Sequence, residues 1–154
     1  MSFDVSFMEI PNDFKELLEL FNSHEVEYLI VGGYALAFHG APRVTGDIDL
    51  FVRPVRENAE RILAALDEFG FGSLDLSLDD FAKPGNIVQL GVPPLRVDII
   101  TSVTGVPWDK AEAGAVPGRY GAISVHFIGR DDFIANKRAV GRLKDAADIE
   151  ALGE

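Results

Sequence analysis

Two short motifs, one of glycines and one of acids, constrain this chain more than any other feature. Gly32-Gly33 follows the apolar run 28–31, and Asp47-Ile48-Asp49 comes after thirteen intervening residues. A third acid, Asp98, stands inside the apolar segment 95–100. Glycine has no β-carbon and lets the backbone approach a ligand closely, while the start of a following helix offers unpaired N–H groups to an anion. The motifs therefore indicate a phosphate-binding turn beside a group of carboxylates.

The acids have the spacing of a divalent-metal site. Strand alternation puts Asp47 and Asp49 on one face, about 6–7 Å apart at the backbone, where they repel unless a cation lies between them. Asp98 has apolar neighbours, and an aspartate buried there is costly unless it is paired or hydrogen-bonded. If the two strands are neighbours, three carboxylates converge, as Mg²⁺ bound to phosphate requires. Arg96, on the face of Asp98, leaves a structural ion pair as the alternative.

Helical periodicity, strand alternation and turn residues predict helices and strands that alternate along the chain. We therefore expect an α/β (α+β) fold, a mixed β-sheet flanked by helices with further helices at the C-terminus. The length of 154 residues predicts one domain, 1–154. The predicted strands are Tyr28–Val31, Asp47–Val52, Asn86–Gly91, Leu95–Thr101 and a hairpin within Val116–Ile128. A first helix is predicted to begin near Asn12. The other predicted helices are Tyr34–His39, Arg56–Phe69, Ser77–Ala82, Trp108–Gly114, Asp131–Val140 and, after a break at Gly141, Leu143–Leu152.

Composition excludes several classes of function. The net charge of −11 argues against broad non-specific binding of nucleic acid, although five of the fourteen lysines and arginines fall between residues 130 and 144 and could face an anion. The absence of cysteine excludes disulfides, thiolate zinc sites and a cysteine nucleophile. No apolar run approaches the ~20 residues of a membrane span, and the N-terminus lacks a signal-peptide pattern. We expect a cytoplasmic protein with no membrane partner.

The residues Gly32, Gly33, Asp47, Asp49 and Asp98 together resemble the signature of the polymerase β-like nucleotidyltransferase superfamily. The C-terminal segments 132–138 and 141–148 resemble minimal members related to the AbiEii/AbiGii toxin-type nucleotidyltransferases. The resemblance covers about residues 12 to 152 and departs from the family in two places. Gly33 stands where many relatives have serine, and Leu143 where close relatives often have proline.

The resemblance implies metal-dependent transfer of a nucleoside monophosphate from an NTP to an acceptor hydroxyl, with release of pyrophosphate. Asp47, Asp49 and Asp98 would be the catalytic metal ligands for two Mg²⁺ or Mn²⁺ ions, and Asp98 would also take the acceptor proton. Gly32 and Gly33 would hold the terminal phosphates. By similarity, Lys137 is a candidate triphosphate contact, and Lys144 and Asp145 would flank the site. Arg43 and Thr45 precede the acid pair and are candidates to contact phosphate or to cap the loop.

Several alternatives stay open at this point. Lys137, Lys144 and Asp148 would share one face only if the helix continued through Gly141, and a solvated helix face is the other interpretation. The acceptor is unassigned among RNA (a tRNA end included), protein and small molecules, as are the preferred NTP and the oligomeric state. A non-catalytic binding module, such as one partner of a toxin–antitoxin-like pair, and a metal-dependent hydrolase are the competing functions. His24, His39 and His126 are interpreted as structural or surface residues, and Trp108 as a core residue rather than a platform on which a base stacks.

Overall fold

The computed structural model describes residues 12–41, 46–72, 74–92 and 95–154. These residues form six strands and seven helices, and none of the helices is both long and apolar enough to cross a membrane. The elements are α1 (Asn12–Ser23), β1 (Tyr28–Val31), α2 (Gly32–Phe38), β2 (Asp47–Val52), α3 (Arg56–Leu66), α4 (Leu78–Ala82), β3 (Ile87–Val92), β4 (Leu95–Ile100), α5 (Trp108–Ala113), β5 (Val116–Tyr120), β6 (Ile123–Phe127), α6 (Arg130–Val140) and α7 (Leu143–Ala151).

The strands build one mixed sheet in the order β3-β4-β2-β1-β6-β5. Strand β2 runs antiparallel to β1 and parallel to β4, and two antiparallel hairpins, β3–β4 and β5–β6, complete the sheet. The fold class predicted from the sequence is thus confirmed. So is the condition on which the metal hypothesis depended, because the strand that carries Asp98 pairs directly with the strand that carries Asp47 and Asp49.

The central strands bury their apolar residues on the face away from the acids. Ile48 and Leu50 of β2, and Ile99 of β4, are fully buried there, and burying such side chains stabilises the fold by about 1.5–3 kcal/mol each. Helix α1 turns a stripe of four buried residues inward at helical spacing and packs against α3 and β6. The two acids of β2 are therefore held on a strand whose opposite face is locked into the core.

Asn58 fastens the ends of β1, β2 and α3 together. Its side chain is fully buried; the amide oxygen accepts a hydrogen bond from the backbone N–H of Glu27 at 2.7 Å. Its amide nitrogen donates to the backbone carbonyls of Glu27 and Arg53, each at 3.0 Å. A buried amide satisfied in this way fixes loops that would otherwise leave polar backbone groups unpaired. These three hydrogen bonds of Asn58, called the Asn58 clamp below, set where β2 ends and α3 begins.

Aromatic pairs fill the remainder of the core. The ring of Phe38 in α2 stacks on that of Phe127 in β6 at 4.1 Å, and Gly118 of β5 leaves the room for this stack. Trp108 is 8% exposed and packs edge-on against Phe51. The interpretation of Trp108 as a core residue is confirmed.

Two helices have a boundary that differs from the sequence prediction by more than one residue. Helix α2 begins at Gly32 itself and ends at Phe38, so the glycine pair opens the helix instead of separating it from the strand. The predicted helix Arg56–Phe69 ends at Leu66, and a wider turn covers Asp67–Phe71. In that turn Gly70 has a φ of 112°, a conformation that ends regular helix and that glycine adopts at little cost.

Candidate active site

The acids of β2 and β4 lie side by side on one face of the sheet. Asp49 and Asp98 are register partners on adjacent parallel strands, and their carboxyl groups are near enough for the charge of Asp98 to raise the pKa of Asp49. Asp98 is 8% exposed. On either side of the pair, Val31 of β1 and Gln89 of β3 complete the same row across four strands. The sheet register thus brings together two of the three predicted metal ligands.

The proximity of these acids changes the protonation of Asp49. Burial is the largest cause, followed by the charge and hydrogen bond of Asp98 and the charge of Asp47, and together they raise the pKa of Asp49 to about 6. The charge of Lys137 acts in the opposite direction. Neighbouring carboxylates that cannot all ionise favourably are typical of catalytic and metal-binding sites.

Asp47, the third predicted ligand, is linked to the pair through Arg96. The two residues are register partners, and Arg96 Nη2 lies 2.8 Å from Asp47 Oδ2. The same guanidinium reaches Asp98, with Nη2 at 3.3 Å from Oδ2 and Nε at 3.1 Å from Oδ1. The structural ion pair left open by the sequence is therefore present, and its contact with Asp47 was not foreseen.

The donor set fits a divalent cation, although a protein cation now contacts two of its members. Within the described residues, no three Asp, Glu or His side chains already surround a position that could hold a metal ion. Asp98 Oδ1 is nevertheless buried without a hydrogen bond, because the nearby Arg96 Nε does not point at it. A buried carboxylate oxygen in that state is costly, and hard carboxylate oxygens are the ligands that Mg²⁺ prefers.

Gly32 packs against these acids where β1 passes into α2. Its φ is +68°, and a β-carbon at this position would overlap Oδ2 of Asp49. Glycine is required here for both reasons. Gly33 follows inside α2, so the first glycine of the pair contacts an acid of the site and the second lies in the first turn of the helix behind it. A phosphate contact by Gly32 and Gly33 stays a prediction, and Arg43 and Thr45 lie outside the described residues.

Lys137 of α6 connects the C-terminal helices to this site. Its ammonium lies 3.3 Å from carboxylate oxygens of both Asp145 and Asp148 in α7 and 5.3 Å from the centre of the Phe133 ring. The side chain is 12% exposed, and its charge reaches Asp49. Lys137 therefore forms ion pairs with α7 while its charge lowers the pKa of Asp49.

Asp145 is a structural anchor of α7. It is fully buried and accepts hydrogen bonds from Arg142 Nε at 2.7 Å and Nη2 at 3.1 Å. These bonds and the charge of Lys137 hold the pKa of Asp145 well below its usual range, against the effect of burial. The contacts account for its burial without any ligand, and its proposed place beside the nucleotide stays untested.

The C-terminal helix is not continuous, so the spacing of Lys137, Lys144 and Asp148 does not define one helix face. Gly141 takes a left-handed conformation with φ 72° and ends α6, as the break predicted there requires. Helix α7 then packs back on α6. Asp148 faces Lys137 across this turn, whereas Lys144 is exposed and has no hydrogen bond or ion pair to another described residue. Tertiary packing, not helical periodicity, makes the contact.

The histidines take no part in this arrangement. His39 is buried and donates from Nε2 to the carbonyl of Ile128 at 2.6 Å, and His24 pairs with Glu68 at 3.0 Å. The sequence predicts an ion pair of Arg96 with Asp98 but not its contact with Asp47. Its in-phase position opposite Asp47 could be found only once the parallel pairing of β2 and β4 was known.

Comparison with known proteins adds to this geometry at the level of fold. No protein-family model matches the sequence, and no curated protein is similar to it. Solved structures do match. A Thermotoga maritima protein, TM1012, assigned as a nucleotidyltransferase, superposes with a TM-score of 0.63 at 15% identity over 90% of this chain and 89% of its own. The chain has a nucleotidyltransferase fold.

Two further structures with the nucleotidyltransferase fold extend the likeness. The lincosamide antibiotic adenylyltransferase LnuA, solved with lincomycin bound, matches with a TM-score of 0.56 and 13% identity over 94% of this chain and 97% of its own. The antibiotic-resistance factor ANT(2'')-Ia matches with a TM-score of 0.54 and 13% identity over 92% and 80%. The likeness spans nearly the whole chain, so the acids of β2 and β4 belong to a sheet shared with these proteins.

Proposed function

We propose that the protein is a metal-dependent nucleotidyltransferase that moves a nucleoside monophosphate from an NTP to an acceptor hydroxyl and releases pyrophosphate. The observation that carries the proposal is the pairing of Asp49 with Asp98 on adjacent strands, beside Gly32. The shared fold of the three nucleotidyltransferase structures supports it. Burial of two adjacent carboxyl groups costs stability, and a function that needs them explains why the chain keeps them together.

In this proposal Asp47, Asp49 and Asp98 hold Mg²⁺ or Mn²⁺, in two sites. Ions bound there would neutralise the triphosphate and favour the leaving pyrophosphate. Asp98 accepts the proton of the acceptor hydroxyl, because its buried Oδ1 has no hydrogen bond to satisfy it otherwise. A cytoplasmic location, where NTPs are available, belongs to the same proposal.

The nucleotide contacts in this proposal follow the positions of the remaining residues. Gly32 lies next to Asp49 and Gly33 follows it in α2, and a terminal phosphate could approach the backbone of this pair. The charge of Lys137 lowers the pKa of Asp49, and a lysine ammonium is a common phosphate ligand. Arg43, Thr45, Lys144 and Asp145 are kept as secondary candidates that mutation has to test.

Incubation with each labelled NTP, Mg²⁺ and cell extract tests the activity. The wild type should label an acceptor and release pyrophosphate, and Asp49→Asn and Asp98→Asn should each abolish labelling. Asp75→Asn, which changes an exposed acid outside the sheet, is the matched control and should label normally. Equal labelling by all four proteins would overturn the assignment, and free nucleotide without a labelled adduct would identify a hydrolase instead.

The class of acceptor needs a separate experiment. LnuA and ANT(2'')-Ia are described as a lincosamide antibiotic adenylyltransferase and an antibiotic-resistance factor, which places small hydroxylated molecules among the candidates for this chain. RNA, including a tRNA end, and protein remain the other two. Treating the labelled extract with ribonuclease, with protease or by size filtration assigns the label to one class.

A non-catalytic binding module is the second candidate, and the ion pairs of Arg96 favour it. A cation from the protein itself already contacts Asp47 and Asp98, so these acids could serve folding or a toxin–antitoxin-like partner. The relation to AbiEii/AbiGii-type proteins, which rests on the C-terminal segments, belongs with this candidate. Thermal unfolding distinguishes the two, because an enzyme is stabilised by NTP only when metal is present. No shift at millimolar NTP and metal supports the binding module.

A further inference from the structure

Arg96 is arranged in an unusual way for a structural arginine. Its guanidinium spans two acids on neighbouring strands, with Nη2 at 2.8 Å from Asp47 Oδ2 and Nε at 3.1 Å from Asp98 Oδ1. All of its side-chain hydrogen bonds and ion pairs among the described residues go to these two acids. The side chain is 30% exposed, so it can leave the acids without disturbing the core.

The same carboxylate oxygens are those a divalent ion would need. A guanidinium and a metal ion cannot occupy the space in front of one carboxylate together, because both are cations and each must approach the same lone pairs. The fit of Arg96 is incomplete, since both its Nε and Asp98 Oδ1 are buried without a hydrogen bond. An ion pair with unsatisfied members is less stable than a fully bonded one and is correspondingly easier to displace.

We propose that Arg96 is a built-in competitor of the divalent metal, pairing with Asp47 and Asp98 in the metal-free protein and leaving them when the ion binds. The inference rests on the proposed function, because it requires that these acids bind metal. Arg96 then sets the metal affinity of the site. It also neutralises the crowded acids while the site holds no ion, which preserves the sheet without a cofactor.

Mn²⁺ binding to the full chain without nucleotide tests the competition, with free Mn²⁺ measured by electron paramagnetic resonance. Arg96→Gln removes the competing charge and should bind Mn²⁺ about three- to tenfold more tightly than wild type, the range expected for losing a charge-assisted contact that is partly exposed. Arg96→Lys keeps a charge but cannot span both acids in the same way, and its affinity should lie between the two. Arg53→Gln is the control, because Arg53 forms its ion pair with Glu27, at 3.2 Å, and not with the acids of the site. This variant should bind Mn²⁺ like wild type.

Thermal unfolding of the same proteins separates competition from a purely structural role. Without metal, Arg96→Gln should unfold at a lower temperature than wild type, because Asp47 and Asp98 no longer face the positive charge of Arg96. With saturating Mn²⁺ that deficit should shrink or reverse. A structural arginine would produce the same deficit in both conditions, and that result would overturn the proposal.

The outcomes also separate this inference from the proposed function. If wild type and Arg96→Gln bind Mn²⁺ with equal affinity, the competition is wrong while metal-dependent transfer stands. If neither Arg96 variant nor wild type binds Mn²⁺ without nucleotide, the competition is wrong, and the labelling experiment with NTP decides metal-dependent transfer separately. If Arg96→Gln unfolds during purification, the affinity of Arg96→Lys decides, and a value equal to that of wild type contradicts the competition.

Discussion

Gly32 packs so closely against Asp49 that a β-carbon at residue 32 would overlap the Asp49 carboxylate. The antiparallel pairing of β1 with β2 creates this contact, because it places Val31, the residue before Gly32, opposite Asp49. The strand that ends in the glycine turn and the strand that carries the acids are thus fixed against each other at one point. The position of the Asp49 side chain therefore depends on the absence of a β-carbon at residue 32.

Gly32→Ala should displace Asp49 and lower the free energy of unfolding by about 3 kcal/mol, the sum of a left-handed backbone penalty and an overpacked contact. Gly85→Ala is the matched control, because Gly85 also has a positive φ, 90°, but a β-carbon there would meet nothing within 4 Å. It should cost only about 1 kcal/mol. Urea unfolding measures both, and equal losses would show that the contact with Asp49 carries no energy.

The metal-free protein should lose stability as the pH rises through the range in which Asp49 ionises. The folded state raises the pKa of Asp49 from 3.8 to about 6, so the folded state binds the proton more tightly than the unfolded chain does. The stabilisation from the Asp49 proton is therefore present below about pH 4 and disappears by about pH 6. Asp49→Asn should remove this contribution, which thermal unfolding at a series of pH values in the presence of a chelator measures. A wild-type pH profile identical to that of Asp49→Asn would contradict the prediction.

Lys137→Met should destabilise the protein by about 3 kcal/mol at pH 7, since removing one member of a buried ion pair leaves the others unbalanced. Asp145 and Asp148, its partners, are 0% and 2% exposed. Lys144→Met is the control, because Lys144 is exposed and should change stability by less than about 0.5 kcal/mol. Chemical denaturation measures the difference. If Lys144→Met weakens NTP binding while stability is unchanged, the predicted nucleotide contact of Lys144 gains support.

Asn58→Ala should cost about 2–3 kcal/mol, because it leaves the N–H of Glu27 without its partner in a buried position and removes one of the two hydrogen bonds that each of the Glu27 and Arg53 carbonyls accepts. Asn136→Ala offers a comparison, since Asn136 makes one exposed hydrogen bond, from Nδ2 to the carbonyl of Thr104. That change should cost less than about 1 kcal/mol. A similar loss for both variants in thermal unfolding would mean that the Asn58 clamp does not hold β2 and α3 together.

Local sequence signals predicted most of the fold. The limits of Tyr28–Val31 and Asp47–Val52 match the structure because apolar runs bounded by turn residues define short strands. The break at Gly141 was predictable because glycine tolerates the left-handed conformation found there. The end of α3 was not, since Phe69 continues the helical spacing, whereas the regular helix gives way to the wider turn already at Asp67.

Part of the site was also predictable from the local pattern of the sequence. Alternation along β4 puts Arg96 and Asp98 on one face, so their ion pair was foreseen as an alternative. The contact of Arg96 with Asp47 depends on the register between β2 and β4, which long-range packing determines. Likewise, the approach of Asp148 to Lys137 depends on how α7 folds back on α6, and no periodicity within either helix encodes that direction.

Lys137 interacts with two parts of the protein. Its ammonium forms ion pairs with two buried acids of α7, and its charge lowers the pKa of Asp49. An anionic ligand that drew this lysine toward the sheet would weaken its hold on α7. By thermodynamic linkage, anything that loosened α7 would in turn free the lysine for the ligand. Binding of such an anion beside Asp49 and docking of α7 would then be energetically coupled through this one side chain.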